Sequence, residues 1–204
     1  MTTGEHDPPT IQIARPRTLT GIWPDLLAHT GRRWGRPWPV YAARLLFTAL
    51  WHSGFHLALA HRLAAAARKL GLIPVAAIID RLAYHWYHCI IPSTARIGGG
   101  LFIPHALGIV LNKHARLGEF VTLRQYTQII DVQRPGQDAL VGDHASFGAF
   151  ATVIRGGTVG EHALVAAKAL VTKHCPARHL ARGIPAEFTP LRPGHQTYEG
   201  AWFE

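Results

Sequence analysis

Large apolar side chains recur every six residues through the second half of the chain, and this spacing restricts the fold more than any other feature. Ile91, Ile97 and Ile103 begin the series, and Leu111, Leu117, Leu123 and Ile129 continue it. Val141, Phe147, Val153, Val159, Val165 and Val171 complete it. Four residues after most of these positions the side chain is small: Ala95, Ala115, Ala145, Ala151, Gly157, Ala163, Ala169 and Cys175. A fixed internal period is the mark of a repeat architecture. The grid slips by two residues between Ile103 and Leu111, beside Pro104-His105, and skips one unit between Ile129 and Val141. A solenoid that breaks register twice is making room for something.

Six residues suit neither an amphipathic helix nor an ordinary alternating strand. On a helix, positions i and i+6 point about 120° apart, so the apolar set would smear around the axis. Short flat strands joined by tight corners accommodate the period, with the large residue pointing inward and the small one at the turn. Three such strands close a triangular coil, and successive coils stack in parallel about 4.8 Å apart. The expected class is mainly β, a parallel β-helix. Ile97-Gly98, Leu117-Gly118, Val141-Gly142, Phe147-Gly148 and Val159-Gly160 are expected to supply permissive backbone at repeated positions.

At 204 residues the chain accommodates a small cap and a solenoid. The reading divides it into a flexible arm (1–20), a helical cap (21–90), the β-helix (91–187) and a tail (188–204). The formal charge of +9 is spread along the chain, densest at Arg32, Arg33 and Arg36, with no stacked aromatic-and-basic module; nucleic acid is therefore not an expected partner. A basic surface suits an anionic small molecule, an acidic glycan or anionic lipid. Two cysteines, Cys89 and Cys175, point to packing in a reducing cytoplasm rather than to a disulfide. Residues 40 to 91 read as helical, with Arg44, Thr48, His52 and His56 as a polar stripe on one apolar cylinder. Charges interrupt these runs, so neither reads as a membrane span. Burial against the solenoid or another subunit is the first expectation for their apolar surface, and peripheral membrane contact the second. His52, His56 and His61 read as structural.

Three stretches carry a family resemblance. Phe55-His56-Leu57-Ala58-Leu59-Ala60-His61-Arg62-Leu63, the segment from Ile97 to Val110 around Pro104-His105-Ala106, and Gly183-Ile184-Pro185-Ala186 occur in this order. Together they resemble the hexapeptide-repeat acyltransferases with a left-handed parallel β-helix, nearest to the serine acetyltransferase group and its polysaccharide-acetylating relatives. The resemblance spans roughly residues 40 to 188 and is more specific than hexapeptides alone. It implies a left-handed coil, a homotrimer, acetyl-coenzyme A as co-substrate without a metal, and His105 as the catalytic histidine.

Acyl transfer from a thioester to a hydroxyl needs a base, an oxyanion stabiliser and a coenzyme site. Histidine suits the first task, because its ordinary pKa of about 6.5 lets it take and return a proton near neutrality. Two positions that carry carboxylates in the serine acetyltransferases read Pro104 and Ile90 here. Their carboxylate-gripping Arg-His pair reads Gln137-Asp138, on a shortened loop from Asp131 to Ala139. Without that arginine the expected acceptor is a sugar hydroxyl on a polysaccharide precursor or a related metabolite. Gln137 and Asp138 are then the candidate substrate contacts. A serine acetyltransferase-type reaction on an amino acid or an amino-acid-like acceptor is the alternative. For the coenzyme, the resemblance points to Ala149 and Ala167 as small residues beside the pantetheine arm. Lys168 and Lys173 would meet phosphates, with Arg178 and Arg182 assisting.

Two readings compete. A zinc enzyme is suggested by His144 and His162, eighteen residues apart, which would share a column with Tyr126. Tyr126 is a poor third ligand. A non-catalytic β-helix scaffold is the other, motivated by the absent carboxylates.

Overall fold

The computed structural model describes residues 19–31, 37–130, 139–154 and 156–192. The cap has a short 3-10 turn, Leu19–Gly21, and four helices: α1 Ile22–Thr30, α2 Trp38–Trp51, α3 Ser53–Lys69 and α4 Ile73–Tyr87. Pro39 and Pro74 lie in the first turns of α2 and α4, where a missing N–H costs nothing. The C-terminus of α3 closes through paired bonds, Leu72 N–H to Ala67 C=O and Gly71 N–H to Arg68 C=O, with Gly71 left-handed at φ 80°.

The expected single helix with a polar stripe is two helices. His52 stands between α2 and α3 with φ −84° and ψ 105°, so the axis turns there. The break leaves the backbone satisfied: His52 N–H donates to Thr48 C=O, and His56 N–H donates to His52 C=O. Burial of the cap's apolar surface against the coil is seen only in part. Leu46, Phe47, Leu50 and Trp51 on α2, and Ile78, Leu82 and Trp86 on α4, are exposed rather than packed on the coil. Among the described residues no helix is long and apolar enough to cross a membrane.

The coil is a triangular prism of three sheets. One contains β1 Arg96–Ile97, β3 Arg116–Leu117, β6 Leu140–Val141, β9 Thr158–Val159 and β12 His174–Cys175. The second contains β4 Thr122–Leu123, β7 Ser146–Phe147, β10 Leu164–Val165, β13 His179–Arg182 and β14 Glu187–Pro190. The third contains β2 Val110–Leu111, β5 Gln128–Ile129, β8 Thr152–Val153 and β11 Leu170–Val171. Pairing up the prism is parallel, and among the described residues only β13 and β14 pair antiparallel. β14 spans the expected boundary at 187/188. Every grid residue is buried, none above the 6% exposure of Ile91.

The two slips of the grid are insertions at corners, and the strand partners measure them. Thr158 pairs with His174 one regular coil on, and Val141 with Val159. Arg96 instead pairs with Arg116, which accommodates two extra residues around Pro104-His105. Arg116 pairs with Leu140 and Thr122 with Ser146, which accommodates six more between β5 and β6. Beside the first insertion the pairing of Phe102 with Thr122 is a single bridge.

The glycine dipeptides play a different part from the one expected. Gly98 and Gly142 do not have positive φ; a Cβ there would stand 2.5 Å from Gly118 O and 2.6 Å from Glu161 N of the next coil. They permit close stacking of backbone. Left-handed corner positions are held by Gly100, Gly108 and Gly156 and, without glycine, by Phe120, Tyr126, His144, Phe150, His162, Lys168 and Arg178. Each of the non-glycine ones costs roughly 1 kcal/mol or more against glycine. In that conformation each N–H reaches the coil before it: Phe120 to Gly99 C=O, His144 to Glu119, His162 to Asp143, Arg178 to Glu161.

One buried ion pair docks the cap on the first coil. Arg62 of α3 donates from Nε to Asp25 Oδ2 of α1 at 2.9 Å and from Nη2 to Oδ1 at 3.1 Å, and both side chains are fully buried. The guanidinium also donates to the carbonyls of Ile97, at 2.7 Å, and Gly98, while Leu101 N–H donates to Asp25 Oδ1 at 2.8 Å. Burial pushes the Asp25 carboxyl upward, against Arg62 and the backbone donors that hold it down. Replacing Asp25→Ala strands a buried cation, and urea unfolding should record a loss of about 3–5 kcal/mol.

Candidate functional site

The widened first corner is where the cap meets His105. Two inserted residues let the chain bulge between Ile103 and Ile109, and His105 stands exposed on that bulge. The bulge is braced on both sides. Ile103 N–H donates to His29 Nε2 at 3.0 Å, and Gly54 of α3 packs so close to Ile103 O that any Cβ would collide. Leu107 C=O accepts the N–H of Tyr126 from the next coil.

His29 works as a fixed spacer between cap and coil. Its Nδ1 donates to Asp25 C=O at 2.7 Å, which leaves Nε2 as the acceptor for Ile103. Burial lowers its pKa to about 3, with nearby His52 and His56 contributing, so the ring is neutral at ordinary pH. Its edge meets the rings of His52 at 4.8 Å and Phe102 at 5.1 Å.

Beside this bulge lies an open cleft of about 280 Å³. Pro104 and His105 form one wall, His52 and Phe102 another, and Arg124, Gln125 and Ala149 the coil side. The expected catalytic residue and one expected coenzyme residue, His105 and Ala149, are therefore neighbours. Ala167 and Lys168 follow one coil further on the same prism edge, where Lys168 N–H donates to Ala149 C=O. Lys173 belongs to a different edge, between β11 and β12, and Arg178 to the third, between β12 and β13. Gln137 and Asp138 lie outside the described residues.

His52 was read as structural, yet it lines the cleft; the break between α2 and α3 turns it away from the expected stripe. Burial lowers its pKa, with His56 and His105 adding to the shift. Arg124 also faces the cleft, and no motif singled it out. His29, Asp25 and Arg62 had no local signal either, because their partners are distant in the chain. His56 bonds Ala49 C=O at 2.9 Å. His61 is fully enclosed, with its pKa lowered to about 3 by burial and the charge of Arg62.

The column proposed for zinc is built differently from expectation. Because six extra residues precede β6, the ring stacked on His144 is Phe120, at 5.2 Å, and Tyr126 stacks on Phe150 at 4.6 Å. His144 and His162 lie face to face at 4.6 Å with planes 1° apart, so their nitrogens do not converge on a common ion. Among the described residues no three His, Cys, Asp or Glu gather at one point. Cys89 and Cys175 are buried free thiols, and burial raises Cys175 to about 12.

No family model matches the chain. A serine acetyltransferase of Bacillus pumilus is 30% identical over 138 residues, 67% of this chain and 64% of the relative. The chain thus spans less than two thirds of that relative's length. The solved soybean serine acetyltransferase complexed with serine superposes with a TM-score of 0.72 at 26% identity, covering 83% of this chain and 68% of that one. The Brucella abortus serine acetyltransferase in complex with coenzyme A gives 0.73 at 25%, covering 84% and 67%. These relatives overturn the expectation of a sugar or polysaccharide acceptor. That expectation took the loss of one arginine, at Gln137-Asp138, for the loss of any guanidinium. The fold brings Arg124 to the His105 cleft from β4's corner instead.

The two enclosed histidines make stability depend on pH. Both are neutral when folded and titrate near 6.5 when unfolded, so their contribution is complete above about pH 6.5 and falls as pH drops toward 3. Each should cost about 1.4 kcal/mol per pH unit across that window. Urea midpoints measured from pH 7 to pH 4 should decline accordingly, and His29→Asn should flatten the slope.

Proposed function

The chain belongs to the hexapeptide-repeat transferases that include the serine acetyltransferases, and from that premise we propose an acetyl-coenzyme A-dependent O-acetyltransferase acting on the hydroxyl of an amino acid or amino-acid-like acceptor. The observation that carries this reading is His105, exposed on a widened coil corner and facing one cleft with Ala149 and Arg124. A histidine absorbed into the coil could not reach substrate.

In the proposed reaction both substrates are bound together. His105 takes the proton of the acceptor hydroxyl as its oxygen attacks the thioester carbonyl. A hydrogen-bond donor of the cleft meets the oxyanion of the tetrahedral intermediate. Collapse expels the coenzyme thiolate, which receives the proton back from His105. Ala149 and Ala167 keep the edge free of bulk where the pantetheine arm would lie, and Lys168 stands on that edge for a phosphate. Lys173 would meet the same coenzyme only if it crosses between edges, so Lys168 is the stronger phosphate candidate. Gln137 and Asp138 remain candidate contacts on the loop after β5. The homotrimer follows from the family resemblance. A cytoplasmic setting agrees with the two buried thiols and with the location of acetyl-coenzyme A.

Acetyl-coenzyme A and L-serine supplied together should release free thiol, measured with a thiol reagent, and His105→Ala should lower turnover by about 10²–10⁴-fold in a folded protein. An undiminished rate in that variant excludes His105 as the base. Calorimetric titration of coenzyme A should show saturable binding weakened by Lys168→Ala; no binding at millimolar ligand favours the scaffold.

A further inference from the structure

We propose that Arg124, His52 and Gln125 form the acceptor-recognition set of the His105 cleft, Arg124 taking the carboxylate of an α-amino-acid acceptor, His52 and Gln125 its ammonium group. This rests on the acetyltransferase reading and names the residues and polarity of its acceptor subsite.

Three observations converge. First, all three side chains line the cleft that holds His105, and they arrive from separate elements: His52 from the helix break, Arg124 and Gln125 from the corner after β4. Second, His52 Nδ1 and Gln125 Oε1 are buried and have no hydrogen-bond partner among the described residues. A buried polar atom left unsatisfied costs about 1–3 kcal/mol, which is sustained where a ligand supplies the missing bond. Third, among the described residues no carboxylate side chain lines the cleft, and the two positions that carry carboxylates in the serine acetyltransferases are Pro104 and Ile90.

The chemistry of the set is complementary to a zwitterion. In the tautomer protonated on Nε2, the neutral His52 ring turns the Nδ1 lone pair toward a donor. With its amide oriented as found, Gln125 offers a second acceptor. An ammonium group has three N–H donors and can satisfy both. A guanidinium is matched in shape and charge to a carboxylate. The geometry of His52 is prepared in advance: its backbone is held at both N–H and C=O, and its ring rests against the edge of His29.

The test compares three acceptors with acetyl-coenzyme A as donor: L-serine, ethanolamine, which lacks the carboxylate, and glycerate, which lacks the ammonium group. The wild-type chain should use L-serine with a kcat/KM at least about tenfold above either analogue. Arg124→Gln should raise the KM for serine about tenfold or more and leave ethanolamine unaffected. His52→Leu and Gln125→Met should weaken serine and ethanolamine by a similar factor and spare glycerate, with the KM for acetyl-coenzyme A unchanged in all three. His52→Asn, which keeps a polar acceptor, provides a milder variant should the leucine disturb the helix break. Transfer by the wild type that these variants leave untouched, or weaken equally for all acceptors, overturns the proposal alone. Absence of transfer to any of the three by the wild type overturns the acetyltransferase reading with it.

Discussion

The Asp25–Arg62 pair is the constraint on which the placement of everything else depends. It is wholly buried, bidentate, and completed by the carbonyls of Ile97 and Gly98 and the N–H of Leu101. Two charges removed from water are tolerated only when their remaining hydrogen-bonding capacity is met, and here backbone from the first coil meets it. The cap therefore cannot slide on the coil without stranding a charge. His29 adds a neutral bond to Ile103 one strand further on, and Gly54 lets α3 touch the backbone there. These contacts fall within a few residues of His105, so the docking interaction also shapes the corner that carries it.

The coil supplies the other half of the site through its irregularities. Regular coils point one residue of each strand into the core and the residue before it outward. Two added residues convert one corner into a bulge, and the strand pairings on either side resume in register. Close packing of successive backbones requires glycine where a Cβ would strike the next coil, as at Gly98 and Gly142. The left-handed corners carry larger residues whose N–H groups tie each coil to the one before. Rigidity along the prism edge is what allows Gln125, Ala149 and Lys168 to hold fixed positions relative to His105.

Much of this was legible in the residues. Thirteen apolar positions announced the coil and all are buried, because a six-residue period has few other physical solutions. The bulge at Pro104-His105 was legible as a slip in that period. The column of His144 was misassigned to Tyr126, since counting by eighteen ignores the six residues added before β6 and the true neighbour is Phe120. The acceptor was misjudged for a related reason. A motif comparison asks whether arginine occupies one place in the chain, whereas a cleft accepts a guanidinium from any element that borders it.

What the sequence by itself determined was the local and periodic part: strand length, inward-facing side chains, the insertion points, and the histidine beside one of them. Those properties depend on residues close in the chain, and a repeat makes them additive. Only the tertiary structure decided which polar groups share a volume. Asp25 meets Arg62, His29 meets Ile103, and His52 shares a cleft with Arg124 and Gln125 across separations that carry no periodic signal. Their association is set by the angle at which α2 breaks into α3 and by the register of the cap on the first coil. Both follow from the requirement that buried charges and backbone groups find partners.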